Sequence, residues 1–202
     1  MSGPTTEPAP SRADAQRERV LTASVGVFSR RGFRATSMNE IAAGVGLSKP
    51  TLYHYFRSKD ELLVRLYSGV LDESLRLAQE AVAAAGTPWE ALRALVAGRV
   101  VYTCEHQQVL KVCFEEEHEL PAALAEQLLE RRRAFEELVT SVVVAHLADH
   151  PETRLPMTPT VFTNTVLGAV NWVYKWYRPD GPSTPVDLGE QMATALLASV
   201  AP

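Results

Sequence analysis

Helix punctuation governs what this chain can become. From Val20 to Val200 its apolar residues recur at three- and four-residue spacing, and Gly, Pro and Ser/Thr signals separate the runs. Val20, Leu21, Val25 and Phe28 carry the first run, which begins near Arg12 and stops at Arg30, Arg31 and Gly32. Ser37 with Glu40 makes a capping box ahead of Ile41 and Ala42, and Gly44 and Gly46 break that short helix. Ser48 caps a third helix with Pro50 in its first turn, where a missing N–H leaves nothing unsatisfied. Ser58 with Glu61 is a second capping box, opening a long helix through Leu62, Leu63, Leu66, Val70, Leu77 and Ala81 to about Ala85. Further runs follow at about 89–105, 109–118, 122–148, 160–177 and 186–200, punctuated by Pro88, Pro121 and the proline-bearing loops 151–159 and 179–185. Val142, Val143 and Val144 are β-prone but sit inside a long helical run. The chain is therefore predicted to be all-α, with about nine helices.

Charge divides the chain more sharply than its net value of −4 indicates. Residues 1–67 hold 10 Lys+Arg against 6 Asp+Glu, and residues 68–202 hold 10 against 18. A basic N-terminal third on an acidic body suggests a polyanion-binding module joined to something else. Residues 1–11 contain three prolines and no periodicity and read as a disordered arm, whose one charged side chain, Glu7, argues against a basic DNA-gripping tail. No run approaches about 18 uncharged apolar residues, so no membrane span is expected. The first residues lack an apolar signal core, and two cysteines cannot staple a disulfide scaffold; a cytoplasmic location fits.

Residues 37–57 carry the functional signal. Two short helices joined by a Gly-containing turn are the helix-turn-helix pattern. Ala42, Val45 and Leu47 are spaced to pack the elbow, and Leu52 and Phe56, four apart, can both face the core. Lys49, Thr51, Tyr53, His54 and Tyr55 are left on the other sides of the third helix. Tyr53, His54, Tyr55 and Phe56 are consecutive, so one buried face cannot take them all. Such a helix fits a major groove, where donors and ring edges meet bases and flanking hydroxyls meet phosphates. Lys59, beside the start of the fourth helix, adds a phosphate-binding corner. By composition alone, a helical hairpin with its aromatics in the core is an equal reading.

The exact string from Phe33 to Leu63 resembles the DNA-binding domain of TetR-family transcriptional regulators, and the resemblance runs from about Arg17 to Tyr67. It includes Gly32, Thr36, Ile41-Ala42, Val45-Gly46, the run from Thr51 to Phe56, and Lys59 with Glu61, Leu62 and Leu63. The resemblance implies a homodimeric, ligand-released repressor whose third helix reads half of a palindromic operator in double-stranded DNA. It implies base-approaching roles for Lys49, Pro50 and Tyr53, with His54 on the same helix. It implies phosphate contacts for Ser37, Thr51, Tyr55 and Lys59, and a DNA contact for Asn39. The DNA-binding domain is then 12–58, and 59–202 is an effector-binding and dimerisation domain.

In that second part the run 160–177 is apolar on nearly all sides, as a helix buried on more than one side would be. One side is expected to serve its own core and another a partner. Val166, Val170 and Val173, with Met192, Leu196 and Val200 of the last helix, are the expected dimer interface. Trp172 and Trp176, four apart, are the expected wall of an effector pocket, with Phe114; core filling is the ordinary alternative. The stretch from Asn171 to Gly181 also resembles the C-terminal pattern of TetR repressors that answer to acyl-CoA thioesters, which implies a bulky apolar effector of that class. Arg131, Arg132 and Arg133 could meet a CoA phosphate, although such a run is more often a solvated face, as is Glu115–Glu117.

Competing readings have less support. Cys104, His106, Cys113 and His118 invite metal sensing, but Cys104 and His106 lie about 200° apart on a helix and Cys113 and His118 share no face either. A bend near Gln107 would be needed to bring them together. Cys104 and Cys113 on one helix would sit about 13 Å apart, too far for a redox disulfide. No phosphate loop, nucleophile elbow or paired-histidine zinc motif is present, so neither a catalytic site nor a cofactor is expected. A helical adaptor that does not bind DNA is the remaining class.

Overall fold

The computed structural model describes residues 11–202; the expected arm falls outside the described residues except for Ser11, which caps the first helix. The helices are α1 (Arg12–Arg31), α2 (Met38–Gly44), α3 (Lys49–Tyr55), α4 (Lys59–Ala84), α5 (Pro88–Glu105), α6 (Gln107–Glu116), α7 (Ala122–Asp149), α8 (Pro159–Asn171), α9 (Val173–Trp176) and α10 (Pro185–Leu196). Short 3₁₀ turns follow α6 (Glu117–Glu119) and α10 (Ala198–Val200). The architecture is all-α, as the punctuation predicts, and every expected run is present. The run 160–177 is divided at Trp172, whose carbonyl accepts from Lys175 three residues on at 3.0 Å and tightens the turn. No described helix is long and apolar enough to cross a membrane.

Caps explain most boundaries. The Ser37–Glu40 box closes as expected, each side chain bonding the other's backbone. The expected box at Ser58 differs: Ser58 Oγ accepts from Glu61 N at 3.1 Å, but the Glu61 carboxylate reaches Arg57 N at 2.7 Å, one residue earlier. Gly46 has φ +68, Gly46 N donates to Ala43 O at 3.2 Å and Leu47 N to Ala42 O at 2.9 Å. This is a Schellman ending, and it turns the chain sharply between α2 and α3.

Two apolar clusters organise the packing. The first holds Val20, Phe28, Ile41, Leu52 and Phe56 of the N-terminal helices together with Leu62, Leu63 and Tyr67 of α4 and Leu110 and Cys113 of α6. The expected division after Ser58 thus does not divide the core, because the first turns of α4 belong to it. The second cluster joins α4, α5, α7, α8 and α10 through residues such as Ala78, Leu92, Val100, Val143, Val166 and Leu197. Here α10 lies along α5 so closely that a Cβ on Gly189 would stand 2.8 Å from Ala97 O. Arg93 on α5 donates to Glu190 on α10 at 2.7 Å on the rim of the same contact.

Candidate DNA-binding face and effector cavity

α3 is a short helix with one buried stripe. Leu52 and Phe56 are buried in the first cluster, which fixes its rotation. Lys49, Pro50, Thr51, Tyr53 and His54 are exposed together on the remaining surface. Ser37 and Asn39, at the start of α2, are exposed as well. The Lys49 ammonium stands 5.9 Å from the centre of the Tyr53 ring, so a cation and an aromatic edge are presented side by side. Thr51 N donates to Ser48 Oγ, and the two hydroxyls are 2.7 Å apart. Ser37 Oγ lies 2.9 Å from the Glu40 carboxylate and also accepts from Glu40 N.

Two residues differ from expectation. Tyr55 is half-buried against the first cluster, with the Arg17 guanidinium 5.9 Å from its ring, because the elbow leaves room for a ring beside Phe56. Lys59 is half-buried too, and its ammonium donates to Phe33 O at 2.8 Å, Arg34 O at 3.1 Å and Thr36 O at 3.3 Å, 4.6 Å from the Phe33 ring. All three of its N–H groups are used inside the protein. In this geometry Lys59 pins the α1–α2 loop to α4 instead of reaching for a phosphate.

The reading head is also tied to the body. Arg34 donates to Glu119, beyond α6, at 2.6 Å. Tyr67 on α4 is completely buried and donates to Glu117 at 3.0 Å, while Arg132 donates to both Glu117 oxygens at 2.7 Å and to Tyr67 Oη at 2.8 Å. Burial pushes the Tyr67 phenol well above its ordinary value, so it stays a donor. Glu117 therefore serves an internal network. Arg131 pairs with Asp72 at 2.9 Å and Glu115 with Lys175, which leaves Arg133 as the exposed member of the arginine run.

The regulatory residues are rearranged most. Trp172 and Trp176 are 59% and 49% exposed and line neither of the two cavities described below, while Val166, Val170, Val173 and Val200 are buried inside the protomer. Met192 and Leu196 are half-buried against the second cluster. Relative to the expected assignment, the valine side of the 160–177 run faces the protomer's own core and the tryptophan side faces outward. Its outward stripe is Val161, Thr165, Gly168, Trp172 and Trp176, spaced by three or four residues. Phe114 packs edge-on to Tyr67, with ring centres 6.1 Å apart, and 5.4 Å from Tyr174, within the core.

Two cavities lie elsewhere. A cleft of about 960 Å³ opens between α1, α4 and the α5–α6 bend, and charged side chains including Glu18, Arg65 and Asp72 line it. A more apolar cavity of about 480 Å³ lies between α4, α5 and α7, walled by Leu77, Ala78, Leu95, Tyr102 and Phe135, with Arg99 also in its lining. The second has the size and character of a small-molecule site. Cys104 and Cys113 are buried free thiols, and burial pushes both up, Cys104 to about 11. The bend between α5 and α6 falls at His106, yet no group of three His, Cys, Asp or Glu among the described residues could hold a metal ion.

Residues 20–66 match the family model described as bacterial regulatory proteins, tetR family, and residues 85–200 match the tetracyclin repressor-like C-terminal domain. The chain belongs to the TetR family. Members of this family are DNA-binding transcriptional regulators, in agreement with the exposed face of α3. The HTH-type transcriptional repressor KstR2 of Mycobacterium tuberculosis is 25% identical over 195 residues, covering 94% of each chain. Its solved structure superposes with a TM-score of 0.80 at 24% identity, covering 91% of this chain and 93% of that one. The TetR regulator PfmR of Thermus thermophilus gives 0.81 at 24% identity, covering 89% and 97%. AibR, solved with isovaleryl coenzyme A and operator DNA, gives 0.78 at 24%, covering 89% and 97%.

Proposed function

We propose that this TetR regulator is a homodimeric repressor that reads an inverted-repeat operator with α3 and lets go when a small apolar effector fills the α4–α5–α7 cavity. One observation carries the reading. The first turns of α4 lie in the core of the reading head, and its later turns, from Glu73 to Ala81, wall the cavity. A ligand that prefers one setting of α4 must change the setting of both reading heads, which is the differential affinity that coupling requires. The outward stripe of α8 and α9 supplies the apolar face for the second copy. The protein acts in the cytoplasm, on DNA, and catalyses no reaction.

Repression is supported by the kinship with KstR2. An acyl-CoA thioester is one effector class, supported by AibR, which shares the fold and binds isovaleryl coenzyme A. The test is footprinting and anisotropy on the promoter that the purified protein protects. Protection of an inverted repeat with half-sites about 34–36 Å apart and a steep loss of affinity with salt are expected. Binding of a monomer to one half-site with a flat salt response would overturn the reading.

A further inference from the structure

Arg99 is a buried cation in the lining of the α4–α5–α7 cavity, and the reading above leaves its chemistry unused. It is 8% exposed, and no carboxylate among the described residues forms an ion pair with it. Nε donates to Asn171 Oδ1 at 2.9 Å and Nη1 to Ser74 Oγ at 2.5 Å, both neutral acceptors. The rings of Tyr102 and Phe135 stand 5.6 and 5.5 Å from its central carbon. Burial pulls the guanidinium down to about 10, so it is still charged at neutral pH. A buried cation without a counter-charge is expensive to keep. The cost is offset if an anion completes the site, and a planar guanidinium held at one edge offers its remaining donors in the fork that suits a carboxylate.

The rest of the cavity limits what can carry that anion. Its walls are apolar, from Leu77, Ala78, Ala81, Leu95 and Phe135. Toward solvent the lining includes Glu105, exposed, His106, and Glu73, which is paired with Arg76. About 480 Å³ suits a medium-sized acid held whole, whereas a coenzyme A thioester would leave its nucleotide outside the cavity.

We infer that Arg99, held by Ser74 and Asn171, is the anion anchor of the effector site, and that the effector is a free carboxylic acid with an apolar body. This rests on the reading of the cavity as the effector site. Asn171 is a positioning residue that also couples the anchor to the end of α8, the helix with the outward apolar stripe.

The experiment uses the full-length protein with sodium octanoate, methyl octanoate and octanoyl-CoA as probes, read by thermal shift and by anisotropy of labelled operator. Octanoate should bind at least about tenfold tighter than its methyl ester, and the Arg99→Met protein should lose that difference while still binding the ester. Arg99→Met should also melt no lower than wild type without ligand, since it removes an unpaired buried charge, and Arg99→Lys should keep part of the preference. A wild-type protein that takes ester and acid equally, or prefers octanoyl-CoA, would overturn the anchor; so would an Arg99→Met protein with an intact preference for the acid. The wild-type comparison decides the matter even if the variants fail to fold. Failure of the wild-type protein to bind any operator in the absence of ligand would instead overturn the repressor reading.

Discussion

Trp172 and Val173 are adjacent in sequence and opposite in environment: the first is 59% exposed and the second completely buried. That single step sets the rotation of the whole segment. It turns Val161, Gly168, Trp172 and Trp176 outward and commits Val166 and Val170 to the protomer's own core.

Dimerisation should therefore respond to the outward stripe. Trp172→Glu is expected to yield a helical monomer by light scattering that no longer protects an operator, because a charge would enter the face between copies. Val166→Glu should instead cost about 3 kcal/mol or more of stability, seen as lost helicity and a lower melting temperature, because it buries a charge within one chain. A Trp172→Glu protein that stays dimeric would move the interface away from α8.

Lys49 and Lys59 should fail differently. Lys49 is exposed on the reading helix, so Lys49→Ala should weaken binding and shallow the salt dependence by about one contact. Lys59 satisfies three carbonyls of the α1–α2 loop, so Lys59→Ala should cost about 1–2 kcal/mol of stability and leave the salt slope unchanged. A shallower slope for Lys59→Ala would show that its ammonium leaves the loop for a phosphate.

Tyr53 and Tyr55 make a second contrast on one helix. Tyr53→Ala should change which operator bases are preferred at little cost in melting temperature, since the ring is exposed. Tyr55→Ala should lower the melting temperature by removing packing against the first cluster, and should weaken all operators alike. Binding-site selection from a randomised operator separates the two outcomes.

The tie between Arg34 and Glu119 should be visible in acid. The hydrogen bond from Arg34 holds the Glu119 carboxyl below its ordinary value of 4.5. A depressed folded-state value means that the stabilisation is complete above the unfolded value and is lost as pH falls through the folded one. Glu119→Gln should thus melt lower than wild type at neutral pH, and the two curves should draw together as pH falls from 4.5 through the depressed folded-state value. A variant that melts with wild type at neutral pH would show that the pair contributes nothing.

Legibility in the sequence followed how many sides of a helix are apolar. α3 has one narrow apolar stripe, Leu52 and Phe56, so its rotation could be read directly, and the Ser and Gly caps around it fixed its ends. The segment from Val161 to Trp176 is apolar almost all round, so its sequence carries little information on rotation, and which side faces outward is seen only in the fold. Lys59 shows a different limit: a lysine beside a helix start looks like a free cation until the loop carbonyls across from it are seen. Arg99 was missed, although a signal existed. It stands within Leu95–Tyr102 with no carboxylate three or four residues away on either side, which is unusual for an arginine on a solvated face.

The close seat of Gly189 on Ala97 has a mechanical consequence. With α10 clamped to α5 backbone against backbone, α5 is braced from behind, and on the proposed reading α4 is the cavity wall that moves. α4 has 26 residues, about 39 Å at 1.5 Å per residue. A tilt of about 3° about its far end carries its first turn, and the reading head with it, through about 2 Å. Spin labels on the two copies of α3 would register a shift of that size. A displacement of 2 Å takes a base-edge hydrogen bond from about 2.9 Å to well beyond any bonding distance. On the proposed reading, release from DNA requires only angular play of a rigid rod, with no unfolding of either end.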